Sequence, residues 1–310
     1  MSITALRDLR VVALLATLCC LLWGSAFPAI KAGYAWLSIA PGDTASQLLF
    51  AGWRFVLAGL ILLCWARAAG RSLGLSRAQA RNVTLLGLGQ TALQYVFFYI
   101  GVAHTTGAKA SIMNATTVFF TVLLAHFVYA NDRLSRRKAV GCLLGFAGVV
   151  VVNLAGSGLD LDLTLAGEGA IVASSLIIAV TMIFGKRISQ TLDPVVMTGW
   201  QLAIGGAALV AAGEAGGGQL RGFGLSAGLL LGYMAVLSAV AFALWSTLLR
   251  NNPVSFVTSF NFTIPIFGVT LSALLLGESV LELRYAAGLV LVSAGVWLVT
   301  RAARLPASTP

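Results

Sequence analysis

Residues 114–120 read Asn-Ala-Thr-Thr-Val-Phe-Phe, and residues 261–267 read Asn-Phe-Thr-Ile-Pro-Ile-Phe, 147 positions later. Other matches keep the same offset: Gly52-Trp53 with Gly199-Trp200, Gly141 with Gly288, and Ala147-Gly148 with Ala294-Gly295. Apolar chains match by chance more often than mixed ones. A single offset that serves the second, fourth and fifth apolar runs of each half is better explained by duplication. It divides the chain into a first repeat, 1–156, and a second, 157–310.

Both repeats are made for lipid. Hydrophobic residues are 59% of the chain, charged residues 10%, and the mean hydropathy is +0.93. A soluble domain carries about 25% charged residues, so a soluble fold is excluded, and disorder, coiled coil and collagen with it. A spanning helix needs about 20 mostly apolar residues. Ten runs of that kind lie at 10–31, 47–68, 83–103, 107–129, 138–156, 167–185, 194–213, 226–248, 254–277 and 284–301. They are too long for barrel strands and lack period-two alternation. Arg7 and Arg10 ahead of the first run give it the look of a signal peptide. The apolar stretch continues past a plausible cleavage site, however, and the repeat needs that helix. The expected fold is all-α and integral to the membrane, ten transmembrane helices in a five-plus-five inverted repeat. Five is odd, so the second copy enters with opposite topology. That is the signature of secondary transporters, whose substrate site lies near the midplane between the halves.

The charges orient the chain. Fifteen of the 20 Lys and Arg residues fall in loops on one side, four (Lys31, Lys109, Arg221 and Arg284) on the other, and Arg54 inside a span. Positive loops stay inside, which predicts cytoplasmic N- and C-termini in a multi-pass protein of the inner (plasma) membrane. The formal net charge of +10 is therefore a topology signal. No basic run carries the interleaved aromatics of a nucleic-acid site. Cys19, Cys20, Cys64 and Cys142 lie in apolar runs without CxxC spacing and read as packing residues.

Trp23-Gly24-Ser25, Arg54-Phe55, Leu276-Gly277-Glu278 and the glycine-spaced fifth and tenth runs together resemble the drug/metabolite transporter superfamily, in its EamA-type ten-helix branch. The resemblance covers about residues 10 to 301. It implies a central cavity walled by spans one, three, four, six, eight and nine, and export of small metabolites. One departure is visible: Val118 stands opposite Pro265, so helix breaking is expected to be weaker in the first half.

Polar and aromatic residues within spans are the site candidates, because polar groups in lipid face the bundle interior. Tyr95 and Tyr99 are four apart and share a face, with Gln94 and Gln90 as a neighbouring polar stripe. A tyrosine offers a flat ring with a polar edge. The pair resembles the aromatic lining of YddG-type amino acid exporters within the same branch. Asn114 and Asn261 are repeat equivalents at mid-depth, able to bind a substrate or to lock helices. Trp23, Met182 and Trp245 are further lining candidates. Pro28 and Pro265 break helical hydrogen bonds and are read as hinges or as tolerated kinks, and Trp53 and Trp200 as structural. Arg54, whose repeat partner is Gln201, has two readings. It meets an anion or carboxylate, or it is structural, either fixing helix packing by a hydrogen bond or snorkelling to an interface; the structural reading is preferred. His104 and His126 are too far apart in sequence to define a site.

The ten acids all fall in loops or at span ends, so a midplane carboxylate relay is not expected. There is no HExxH, no GxSxG and no paired buried acid, which argues against an enzyme. The reading is a carrier that exports small metabolites, amino acids first, by alternating access. Nucleosides, purines or drugs are the runner-up substrates, and a channel is the alternative class. No cofactor or metal is called for. The partners expected are a small-molecule substrate and the lipid bilayer, not nucleic acid. The sequence does not set an oligomeric state, and a monomer is compatible with it.

Overall fold

The structure, a computed structural model, describes residues 5–40, 42–105, 110, 113–153, 164–276 and 283–303. Gly277, Glu278, Glu282, Asp160, Asp162, Lys109 and Arg304 lie outside the described residues. Among the described residues every regular element is a helix. Six helices are long and apolar enough to cross a bilayer: α1 (Leu9–Trp36), α2 (Thr44–Ala68), α3 (Arg77–Ala103), α6 (Leu165–Ser189), α7 (Pro194–Ala215) and α8 (Leu225–Asn251). Shorter helices occupy the other apolar runs: α4 (Thr116–Val128), α5 (Arg136–Asn153), α9 (Val254–Ser259), α10 (Ile264–Leu276) and α11 (Leu283–Ala303). A 3₁₀ turn, Phe260–Thr263, joins α9 to α10.

The helix starts explain where the acids went. Asp8 accepts from the amides of Arg10 and Val11 at 2.8 and 3.3 Å, and Asp193 from Val195 and Val196 at 3.0 and 3.2 Å ahead of Pro194. Asp43 accepts from Ser46 N at 3.0 Å. Bonds from the Ser46 side chain and backbone hold the Asp43 carboxyl below its ordinary range. Each carboxylate satisfies amide donors that a helix cannot satisfy itself.

Two seams of glycine bring helices into close backbone approach. A Cβ on Gly52 of α2 would stand 2.9 Å from the Gly206 carbonyl oxygen of α7, and one on Gly59 would stand 2.6 Å from that of Gly199. Between α5 and α11, a Cβ on Gly141 would stand 2.8 Å from the Gly295 oxygen, and one on Gly148 would stand 2.8 Å from that of Gly288. Only glycine allows backbones so near, and this is how helices gain contact where lipid removes the hydrophobic drive between them. The outer faces carry large exposed apolar residues, among them Leu14 at 70% exposure, Leu229 at 66% and Val290 at 67%. In water such a surface would aggregate; against lipid tails it is the proper one.

At one end of the bundle Asp132, just past α4, pairs with Lys138 of α5 at 2.6 Å and accepts from Ser255 N of α9 at 2.9 Å and from the Ser255 hydroxyl. Both charges are buried. Nearby, Lys186 of α6 donates to the Asn252 carbonyl, and the Asn252 amide donates to the Leu6 carbonyl at 2.9 Å. Five elements and the N-terminal segment are thus tied together at that end.

Candidate functional site

An unbroken series of ring contacts runs through the bundle. On α8, Phe242 and Trp245 are three apart and share a face. Trp23 of α1 meets Trp245 edge-on at 5.0 Å and Phe242 at 5.4 Å. Phe242 meets Phe55 of α2 at 6.0 Å, and Phe55 meets Tyr95 of α3 at 4.7 Å. Tyr95 in turn lies 6.1 Å from Tyr99 and 6.3 Å from Phe98. The edge-to-face arrangement is the favoured one for aromatic pairs. Of the residues expected from the sequence, Trp23, Tyr95, Tyr99 and Trp245 are brought into this one cluster. Met182 is buried and packs in the same apolar core as Trp245.

Arg54 sits inside this cluster. Helix α2 begins at Thr44, three residues earlier than the apolar run suggests, so Arg54 stands about 15 Å along the helix. It is 4% exposed and does not snorkel to a surface. Its Cζ lies 4.2 Å from the Phe55 ring centroid and 5.8 Å from that of Tyr95, and Nη2 donates to the Tyr95 hydroxyl at 3.4 Å. None of the ion pairs among the described residues involves it.

Four buried side-chain polar atoms of the described residues have no hydrogen-bond partner: Tyr34 Oη, Arg54 Nε, Gln94 Oε1 and Trp245 Nε1. Arg54 and Trp245 belong to the ring cluster. Tyr34 of α1 meets Phe50 of α2 edge-on, ring centroids 6.0 Å apart. Gln94 adjoins Tyr95 in sequence, and its amide nitrogen donates to Ser174 Oγ of α6 at 2.9 Å. Residues 87–93 of α3 are wound as a π-helix, a form that recurs at functional sites. There the Gln201 amide of α7 reaches Gln90 Oε1 at 3.3 Å and Thr91 Oγ1 at 3.4 Å.

Asn114 and Asn261 lie at matching interruptions. Thr116 donates to the Met113 carbonyl at 2.5 Å, and Thr263 to the Phe260 carbonyl at 2.7 Å, the same bond 147 residues on. The interruption is a single turn residue, Ala115, in the first half and the four-residue 3₁₀ turn in the second, with Pro265 just inside α10. Ser175 Oγ reaches the Asn114 carbonyl at 3.5 Å, and Cys20 Sγ lies 4.0 Å from Asn261 Oδ1. Pro28 lies inside the continuous α1. Trp200 donates to the Leu73 carbonyl at 3.1 Å, and Trp53 is 41% exposed. His126 accepts from Leu134 N at 3.0 Å, and His104 Nδ1 is 2.8 Å from the Ile100 carbonyl.

Phe55 and Phe242 are members that the sequence reading did not place in the site. Phe55 adjoins the one intramembrane charge, and Phe242 precedes Trp245 by three. Those spacings were the available signal.

The model of the EamA-like transporter family matches residues 10–154 and again residues 165–301. Among curated relatives, the uncharacterized transporter YvbV of Bacillus subtilis (strain 168) is 27% identical over 93% of this chain and 90% of its own. The uncharacterized inner membrane transporter YedA of Escherichia coli (strain K12) is 28% identical over 90% of this chain and 87% of its own. A solved crystal structure shares the fold at a TM-score of 0.78 and 20% identity, covering 94% of this chain and 97% of the other.

Proposed function

The chain belongs to the EamA-like transporter family, and from that premise we propose that it is a carrier of small metabolites. Amino acids, aromatic ones among them, are its substrates, and it exports them by alternating access between two inverted five-helix repeats. The observation that carries this is the aromatic cluster. Trp23, Phe55, Tyr95 and Tyr99 come from the first half and Phe242 and Trp245 from the second, so one apolar, polar-edged surface is built jointly by both.

Symmetry supports the two-repeat mechanism. Shifting each member of Gly52–Gly206 by the 147-residue offset, in opposite senses, gives Gly199–Gly59, the other contact of that seam. The same exchange turns Gly141–Gly295 into Gly288–Gly148. A seam that maps onto itself is what a pseudo-two-fold axis produces. Two related halves can exchange inward-open and outward-open shapes at similar energy. The two separate family matches, 10–154 and 165–301, fall on the same division. The fifteen-to-four distribution of loop cations supports cytoplasmic termini in the inner (plasma) membrane. Helix-capping roles for Asp8, Asp43 and Asp193 take those acids out of a midplane proton relay, which supports a facilitator, an exchanger or coupling through other groups.

The test is counterflow in proteoliposomes without an ion gradient, with labelled phenylalanine, threonine and adenosine in parallel. Trans-stimulated, saturable amino acid uptake is expected. Uptake of adenosine alone would replace the substrate class, and unsaturable flux would replace the carrier with a channel.

A further inference from the structure

Arg54 raises a question that helix packing does not answer. A guanidinium carries five donors and a charge that is expensive to keep in the middle of a membrane protein. Burial of such an ion is offset only by close opposite charge and well-made hydrogen bonds. Here the described partner is one phenol at 3.4 Å, a long bond, together with two ring faces. The Nε–H, which forms the fork with a neighbouring Nη–H, is buried without a partner. The donors therefore outnumber the acceptors around the charge, and an aromatic wall adjoins it.

The geometry points to Arg54 as the anchor for a substrate carboxylate, with the Tyr95 hydroxyl as a flanking donor and the Phe55–Phe242–Trp23 rings as the bed for the attached apolar body. This rests on the carrier reading given above and narrows it: the site takes a monocarboxylate on a flat or apolar body. Chemistry favours it because a guanidinium fork matches the two oxygens of a carboxylate, and because charge-assisted bonds are the stronger ones. A dianionic phosphate fits less well, since no second cation accompanies Arg54 among the described cation–ring contacts of the cluster. A neutral ligand would leave the charge as poorly compensated as before.

The experiment uses the full-length protein purified in detergent, with 3-phenylpropionate and 3-phenylpropanamide as probes. They have the same shape and differ in charge. Thermal stabilisation is titrated with each, and each is tested as a competitor of phenylalanine counterflow in proteoliposomes. The carboxylate is expected to act at about tenfold to a hundredfold lower concentration than the amide, from the strength of charged hydrogen bonds. Arg54→Gln is expected to abolish that preference, and Arg54→Lys to retain part of it. The comparison on the unmodified chain stands even if a variant fails to fold. Equal action of both probes on the unmodified chain overturns the proposal, as does a carboxylate preference that survives Arg54→Gln. If phenylalanine is not transported but the carboxylate still stabilises the protein through Arg54, the amino acid reading falls and the anchor stands. If phenylalanine counterflow is unchanged in Arg54→Gln, the anchor falls and the amino acid reading stands.

Discussion

Trp23 and Trp245 meet with ring centroids 5.0 Å apart and planes at 66°, one from α1 and the other from α8. The contact joins residues separated by most of the chain, and Phe242 touches Trp23 from the same face of α8. Any motion that rocks one half of the bundle against the other must slide or open this contact. Aromatic pairs of this kind contribute about 0.5–1.5 kcal/mol beyond their buried area. That is strong enough to hold one state and weak enough for a ligand to compete with.

Tyr95→Ala is therefore expected to raise the half-saturation concentration for counterflow about tenfold or more, since it removes one ring of the wall and the hydroxyl bonded to Arg54. Asn261→Ala, at the 3₁₀ turn, is expected to weaken transport as well, with expression and monodispersity intact. Unchanged transport in both variants would remove these residues from the site.

Phe55 is fully buried between Tyr95 and Phe242. Phe55→Ala is expected to lower stability by about 3–5 kcal/mol, the range for truncating a buried phenylalanine. Phe55→Leu, which keeps most of the volume, should cost much less. Thermal unfolding in detergent reads both. A Phe55→Ala protein as stable as the parent would show that the centre is loosely packed.

Much of this was legible in advance, for physical reasons. Lipid forces apolar runs, so the six long helices declared themselves, and acids excluded from lipid had to sit at ends, where Asp8, Asp43 and Asp193 cap helices. Spacing along a helix put Tyr95 and Tyr99 on one face. Phe55 and Phe242 were not legible, because phenylalanine suits lipid as well as the interior and the apolar pattern runs all round each helix. The depth of Arg54 depended on three extra residues at the start of α2, a boundary set by the Asp43 cap rather than by hydropathy. The link from Asp132 to Ser255 joins residues 123 apart and has no local signature at all.

Gly206 shows how tightly the seams are made: a Cβ there would stand 2.6 Å from Val56 N and 2.8 Å from the Gly52 oxygen, both backbone. Gly206→Leu is expected to cost at least the 1–3 kcal/mol typical of overpacking, and to reduce the yield of monodisperse protein. Gly232 has open space around its missing Cβ, so Gly232→Leu is the matched control and should be close to neutral. Equal behaviour of the two variants would show that the α2–α7 approach is not close in the membrane.

The buried pair of Asp132 and Lys138 gives the sharpest stability test, because a single variant and the double must differ in a set way. Lys138 Nζ is 2.6 Å from Asp132 Oδ1 and also donates to the Arg133 carbonyl at 2.9 Å, with both side chains at 5% exposure or less. Asp132→Ala removes the counter-charge and leaves the ammonium buried, which is expected to cost about 3–5 kcal/mol. It also strips the Ser255 amide of its acceptor at the start of α9. Asp132→Ala combined with Lys138→Met removes the stranded charge while keeping the volume of the side chain. The double variant is then expected to unfold at a higher temperature than Asp132→Ala alone, recovering part of the loss, since apolar replacement of a whole buried pair is often near neutral. The Ser255 amide remains without its acceptor in both, so full recovery is not expected. A double variant no more stable than the Asp132→Ala single would mean that the carboxylate matters as the acceptor that ties α9 to the end of α4, and not as the partner of a charge.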